Sequence, residues 1–104
     1  PLTPEEMYFL ICKLEKIHAQ VYKYEAGLSS ETLQYFIKTE FSRVGAGQNI
    51  TPREIIRDFI EILNILLQNP DKTLEGILGG DDFNYAKSSE DTEEIRSEFK
   101  GFEV

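Results

Sequence analysis

Ile50-Thr51-Pro52-Arg53-Glu54-Ile55-Ile56-Arg57-Asp58-Phe59-Ile60-Glu61-Ile62-Leu63-Asn64-Ile65-Leu66-Leu67-Gln68-Asn69-Pro70 contains the start, body and stop of a single helix. Thr51 is placed to cap it. Pro52 fills the first turn, where its missing N–H is no loss, and Glu54 at the third position completes a capping box. Ile50 and Ile55 are spaced as a hydrophobic staple around the cap. Asn69-Pro70 ends the run, because proline can neither donate to the helix nor fit inside it. Between these signals Ile55, Ile56, Phe59, Ile60, Ile62, Leu63, Ile65, Leu66 and Leu67 cover most of the circumference in the second half. A helix apolar almost all round belongs at the centre of a core or beneath a partner.

Upstream, Leu2-Thr3-Pro4-Glu5-Glu6-Met7 repeats that punctuation: staple residue, threonine cap, proline in the first turn, glutamate at the third position. It opens a first helix over Pro4 to Tyr22, with Met7, Leu10, Ile11, Leu14, Ile17 and Val21 on its expected buried face. Lys23 to Leu28, with Gly27, links it to a second helix. That helix starts at the staple and cap Leu28-Ser29, runs over Glu31 to Phe41, and buries Leu33, Phe36, Ile37 and Phe41. Ser42 to Asn49, containing Gly45 and Gly47, reads as a loop. The helices that follow the two similar start signals differ in length and pattern, so the chain has no internal repeat.

Downstream of Pro70 the pattern weakens. Thr73 to Leu78 has room for one or two helical turns, and Gly79-Gly80-Asp81-Asp82 breaks it. Lys87 to Glu94 is polar and acidic, and Phe99 to Val104 alternates weakly. The fold expected is all-α: three principal helices in a small bundle over 1–78, followed by a largely irregular, partly flexible acidic tail over 79–104.

A chain of 104 residues has room for one core. The charge of −8 is unevenly spread. Residues 1–70 carry nine acids against seven bases, and residues 71–104 ten acids against four. Dispersed bases and an acidic tail argue against direct nucleic-acid binding, which needs clustered Lys and Arg to neutralise phosphates. Winged-helix DNA binding is a third, weaker reading, because the charge has the wrong sign and two strands after the third helix are hard to find. No apolar run is long enough for a membrane helix, and an acidic start ahead of an amphipathic stretch is the wrong order for a signal peptide. With Cys12 as the single cysteine, a cytoplasmic protein held together by packing is expected, the thiol acting as a small buried hydrophobe.

Catalytic constellations are not legible in the sequence. His18 has no second histidine, and Cys12 lies too far round the helix to share a metal with it, so a surface or boundary position is expected. The phosphate-cradling G-x-x-x-x-G-K-[ST] is missing, and Gly45-Ala46-Gly47-Gln48 lacks its lysine. Asp81-Asp82 and Glu90-Asp91 do not have the spacing of a calcium loop. Arg53 stands out, because a cation at the second position of a helix is mildly disfavoured by the helix dipole. Arg57 lies one turn on, so the two guanidinium groups share a face that suits a phosphate or an acidic partner. Pairing of Arg57 with Glu61 and solvation of Arg53 is the plainer alternative.

Leu2-Thr3-Pro4-Glu5-Glu6, Ile17-His18-Ala19 with Tyr22 and Tyr24, and above all Ile50 to Phe59 continuing through Leu63-Asn64-Ile65-Leu66 to Gln68-Asn69-Pro70 resemble the C-terminal end of the P-loop ATP-binding proteins of BREX-type phage-defence systems. The resemblance spans roughly residues 1–78 and is most specific in the third helix. Such proteins look like AAA+ ATPases, in which an α/β nucleotide-binding core is followed by a helical lid. There a Pro-Arg pair at a helix start often places its arginine at the γ-phosphate, and Pro52-Arg53 stands in that position. The resemblance implies a non-catalytic lid or regulatory domain of a larger ATPase, excised from it, with Pro1 in place of an initiating Met. ATP and magnesium would belong to the parent, and the partner would be the N-terminal ATPase core of the same chain. Arg53, then Arg57, are the candidate phosphate contacts. The alternative function is a protein-interaction module, docking or self-associating through the third helix and the acidic tail.

Overall fold

The computed structural model describes residues 3–45, 51–80 and 83–85. Among them are four helices, α1 (Pro4–Tyr22), α2 (Ser30–Gly45), α3 (Pro52–Gln68) and the short α4 (Leu74–Gly79), and no strand. The all-α architecture with three principal helices is therefore the observed one.

Local chemistry accounts for the helix ends. Thr3 Oγ1 accepts the Glu6 N–H at 3.1 Å while Glu6 Oε1 accepts the Thr3 N–H at 2.9 Å, a reciprocal box that starts α1. These hydrogen bonds from Thr3, backbone first, hold the Glu6 carboxyl below the usual range. At the other end Lys23 takes the left-handed conformation, φ 59°, and its N–H reaches the Ala19 carbonyl. Ser29 Oγ accepts the Thr32 N–H at 3.1 Å and caps α2. At α3, Glu54 Oε2 accepts the Thr51 N–H at 2.7 Å, and Asn69 closes the helix through its side-chain amide on the Ile65 carbonyl at 2.9 Å. Thr73 Oγ1 caps α4 by accepting the Gly76 N–H at 3.0 Å. Leu2 and Ile50, the expected staple residues, lie outside the described residues.

The core gathers Met7 and Ile11 of α1, Leu33, Phe36 and Ile37 of α2, Ile55, Phe59, Ile62 and Leu63 of α3, Leu74 and Leu78 of α4, and Phe83. Phe36 and Phe59 are fully buried and meet with ring centroids 5.2 Å apart at 55°. Burial of each ring is worth about 2–3 kcal/mol. The nearly all-apolar α3 finds its cover inside the domain. Ile56, Ile60, Ile65 and Leu66 are half-buried against the core, and Leu67 is 37% exposed. Cys12 also packs against the core, half-buried.

Two expectations need correction. Ile17 and Val21 do not continue the buried face of α1, being 55% and 64% exposed. Past Leu14 the face turned inward carries Glu15, His18 and Ala19 instead, because what packs there is the polar connector 24–29 and the Asn64 side of α3. The loop expected from Ser42 is helix up to Gly45. Ser42 Oγ donates to the Thr39 carbonyl, and the added turn lets Arg43 reach Asp58 of α3, a contact that offsets the cost of ordering the segment. Residues 46–50 lie outside the described residues, as does the acidic tail from 86 onward.

Candidate functional site

Arg53 is exposed at the second position of α3, and Arg57, one turn later, is half-buried and engaged with its surroundings. The start of the helix is held firmly under them. Glu54, between the two, is 4% exposed and tied to the Thr51 N–H, while Ile55 and Phe59 anchor the same turns in the core. Arg53 thus stands as an outward guanidinium on a fixed base.

Asp58, the residue after Arg57, belongs to a cluster that the sequence did not single out. Glu40 of α2 and Asp58 of α3 are buried, at 0% and 2% exposure. Arg43 Nη1 donates to Asp58 Oδ2 at 3.0 Å and stands 3.5 Å from Glu40 Oε1, an ion-pair distance rather than a hydrogen bond. The Tyr85 ring covers the guanidinium, with Cζ 4.3 Å from its centroid. As a carboxylate, Glu40 has no hydrogen-bond partner on either oxygen. As a neutral acid it has a hydroxyl to share with Asp58. Burial first, then the hydrogen bond to Asp58 and its charge, push Glu40 up to about 9 against the opposing pull of Arg43. Burial, then the charge of Glu40, likewise raises the Tyr85 hydroxyl. A signal for this cluster was present in the sequence: Glu40 lies four residues after Phe36 and three after Ile37, and Asp58 three after Ile55, so both carboxyls occupy core-facing positions.

His18 is not a surface or boundary residue. It is 6% exposed, with Nδ1 2.6 Å from the Tyr24 hydroxyl and Nε2 2.8 Å from Asn64 Oδ1. A neutral ring satisfies both partners when Nε2–H donates to Asn64 and the Tyr24 hydroxyl donates to Nδ1. Tyr22 lies against the imidazole at 4.6 Å between ring centroids. Next to it, Glu15 Oε2 accepts the Leu28 N–H at 3.0 Å, fastening the connector to α1. Burial, then the Glu15 charge, raises the Tyr24 hydroxyl. Both ring nitrogens of His18 are engaged by half-buried side chains, Tyr24 of the connector and Asn64 of α3, which makes the knot a brace between elements.

Outside these networks, a groove of about 490 Å³ runs between α1 and α2 over Tyr8, Phe9, Ile37 and Phe41, with Glu5 and Lys38 at its edges. Among the described residues no three His, Cys, Asp or Glu side chains converge on a metal-sized site, and no helix is long and apolar enough to cross a membrane.

Helices about one core, two polar networks between them and an exposed arginine at the start of α3 define a small all-α fold. Residues 1–82 match the family described as BREX system ATP-binding protein BrxC/D, and the chain belongs to that family. No curated protein and no solved structure matches the chain.

Proposed function

We propose that this domain is a non-catalytic helical lid of an AAA+-like ATP-binding protein and that Arg53 is its contact with the nucleotide phosphates. The observation that carries the reading is the placement of Arg53: exposed, at the second position of a helix whose first turns are locked by Pro52, by the Thr51–Glu54 hydrogen bond and by Phe59 in the core. The helix dipole disfavours a cation there by a few tenths of a kcal/mol, so fold stability is not its reason. Membership of an ATP-binding family supplies an anion for it to meet. A guanidinium offers a planar, two-pronged donor set suited to phosphate oxygens. The phosphates and magnesium would be held by the ATPase core of the parent, since the chain has no phosphate loop of its own. The part of this domain is one positive charge, whose approach or withdrawal couples nucleotide state to lid position, with Arg57 steadying the same face.

The test is made in the full-length parent. Arg53→Ala is expected to depress ATP turnover or nucleotide affinity with an unchanged circular dichroism spectrum, and Arg53→Lys to restore only part of the loss, because lysine keeps the charge without the fork. Unchanged kinetics for Arg53→Ala would overturn the proposal.

A second reading, a protein-interaction module, is favoured by Phe9, Val21 and Ile17, which stand 68%, 64% and 55% exposed along α1. They are spaced in multiples of four residues and so share a stripe. On this reading docking uses α1 more than α3, and Val21→Asp would abolish a partner contact without affecting nucleotide.

A further inference from the structure

Between Phe9 and Val21 the exposed side chains of α1 are Phe9, Lys13, Lys16, Ile17, Gln20 and Val21. With 3.6 residues per turn, all of them fall within less than half of the helix circumference. They make one face with two cations, three apolar side chains and no acid, on a chain whose net charge is −8. The acid of this stretch, Glu15, is turned inward and bonded to the Leu28 N–H. Among the described residues no ion pair engages Lys13 or Lys16. Lysines three residues apart are neighbours on a helix surface and repel, so helix stability is not the reason for the pair. Phe9 joins this face to the groove between α1 and α2. One wall of the groove is pinned, because the Tyr8 hydroxyl donates to Ser30 Oγ at 2.9 Å and its ring meets Phe9 edge-on at 6.0 Å. Glu5 and Lys38 stand at the groove's edges with opposite charge, which leaves Lys13 and Lys16 to set the sign of the α1 face.

We infer that this face of α1 receives an amphipathic helix of another protein, apolar toward Phe9, Ile17 and Val21 and acidic where it borders Lys13 and Lys16. The inference deepens the second reading above, that of an interaction module, by giving the chemistry of the partner, and it does not depend on Arg53. An apolar stripe along a helix, with a groove beside it, fits the apolar face of a second helix. Lysine stems lie along apolar surface while their ammonium groups stay at the rim, where they meet carboxylates and reject a basic partner. A second copy of this chain fits less well, because apposed α1 faces bring lysine against lysine. An anionic lipid surface attracts the two lysines but repels the net charge of −8.

The experiment titrates the 104-residue chain into a fluorescein-labelled helical peptide with leucine on one face and glutamate on the other, followed by fluorescence anisotropy. A twin peptide with lysine in place of every glutamate is the control. The acidic peptide should bind with a dissociation constant of about 1–100 μM, and the basic twin should not bind. Lys13→Glu combined with Lys16→Glu should weaken the acidic peptide by about tenfold or more, since two favourable pairs become repulsive. Both side chains are exposed, so circular dichroism should be unchanged. Phe9→Ser should weaken it as well, and raising salt from about 50 to about 500 mM should reduce the binding severalfold. Equal binding of both peptides at this face would overturn the acidic partner and leave the interaction module standing. Binding of neither peptide, including the case in which the chain's own acids hold the face, would overturn the inference. If the chain then also stays monomeric and leaves vesicles of phosphatidylserine and phosphatidylcholine unbound, the interaction module falls with it. Self-association abolished by Phe9→Ser, or uptake by those vesicles without uptake of the acidic peptide, would overturn the inference in favour of a second copy or a lipid surface.

Discussion

Replacing His18 with leucine removes both hydrogen bonds of the brace and little of its volume. The imidazole is 6% exposed and bridges Tyr24 on the connector, at 2.6 Å, to Asn64 on α3, at 2.8 Å. Each bond contributes about 1 kcal/mol net, and stranding a buried partner adds about 1–3 kcal/mol. Tyr24 and Asn64 are both half-buried, so water can reach them, and the stranding cost falls at the low end. A buried leucine returns part of the loss, on the order of 1 kcal/mol, by its apolar transfer. The net expectation for His18→Leu is a destabilisation of about 1–2 kcal/mol. In a domain of this size that lowers the melting midpoint by roughly 4–16 °C. Urea titration followed by circular dichroism measures it. Hydrogen exchange supplies a local readout, because the Leu28 amide is held by Glu15 Oε2 beside the brace. That amide should exchange faster in the variant, while amides in the middle of α3 follow only the global stability. Wild-type stability to within about 0.5 kcal/mol, the usual scatter of neutral surface changes, together with an unchanged Leu28 amide would refute the view of His18 as a brace.

Phe59→Ala deletes a fully buried ring and its contact with Phe36, and should cost about 3–5 kcal/mol, enough to leave a small domain largely unfolded in a thermal melt. The pH dependence of stability should run opposite to that of a typical acidic protein. Glu40 rises in the folded state from 4.5 to about 9, so the native chain binds the extra proton between those values. Stability is then fully present below the unfolded value and declines as pH climbs toward the folded one, by at most about 1.4 kcal/mol per pH unit. Urea midpoints at pH 5 and pH 8.5 check the sign, and in Glu40→Gln the decline should disappear.

The start signals were legible because capping is local chemistry. Thr3 with Glu6, and Thr51 with Glu54, need only a separation of three residues, and the helices begin where those pairs stand. The apolar periodicity likewise identified Phe36, Ile37, Phe59 and Leu63 as core. The same periodicity misplaced Ile17 and Val21, since a hydrophobic side chain at a face position is buried only if another element arrives to cover it. The exposed Arg53 was readable as an oddity of placement. The acids Glu15, Glu40 and Asp58 stand at core-facing positions of their helices, but position did not establish their burial, because acidic residues are almost always solvated unless a partner is in reach.

From its sequence alone, then, this protein determines where three helices begin, that they are amphipathic, and which residues can form one apolar core. Those properties depend on neighbours within a turn or two. Tertiary structure alone decided that α2 runs on to Gly45, that His18 is enclosed, and that two carboxyls share one arginine. Each rests on groups distant in the chain, His18 with Asn64 across 46 residues and Arg43 with Asp58 across 15. Burial and pairing of charge are properties of the environment that such distant residues create on packing, and no local pattern contains them.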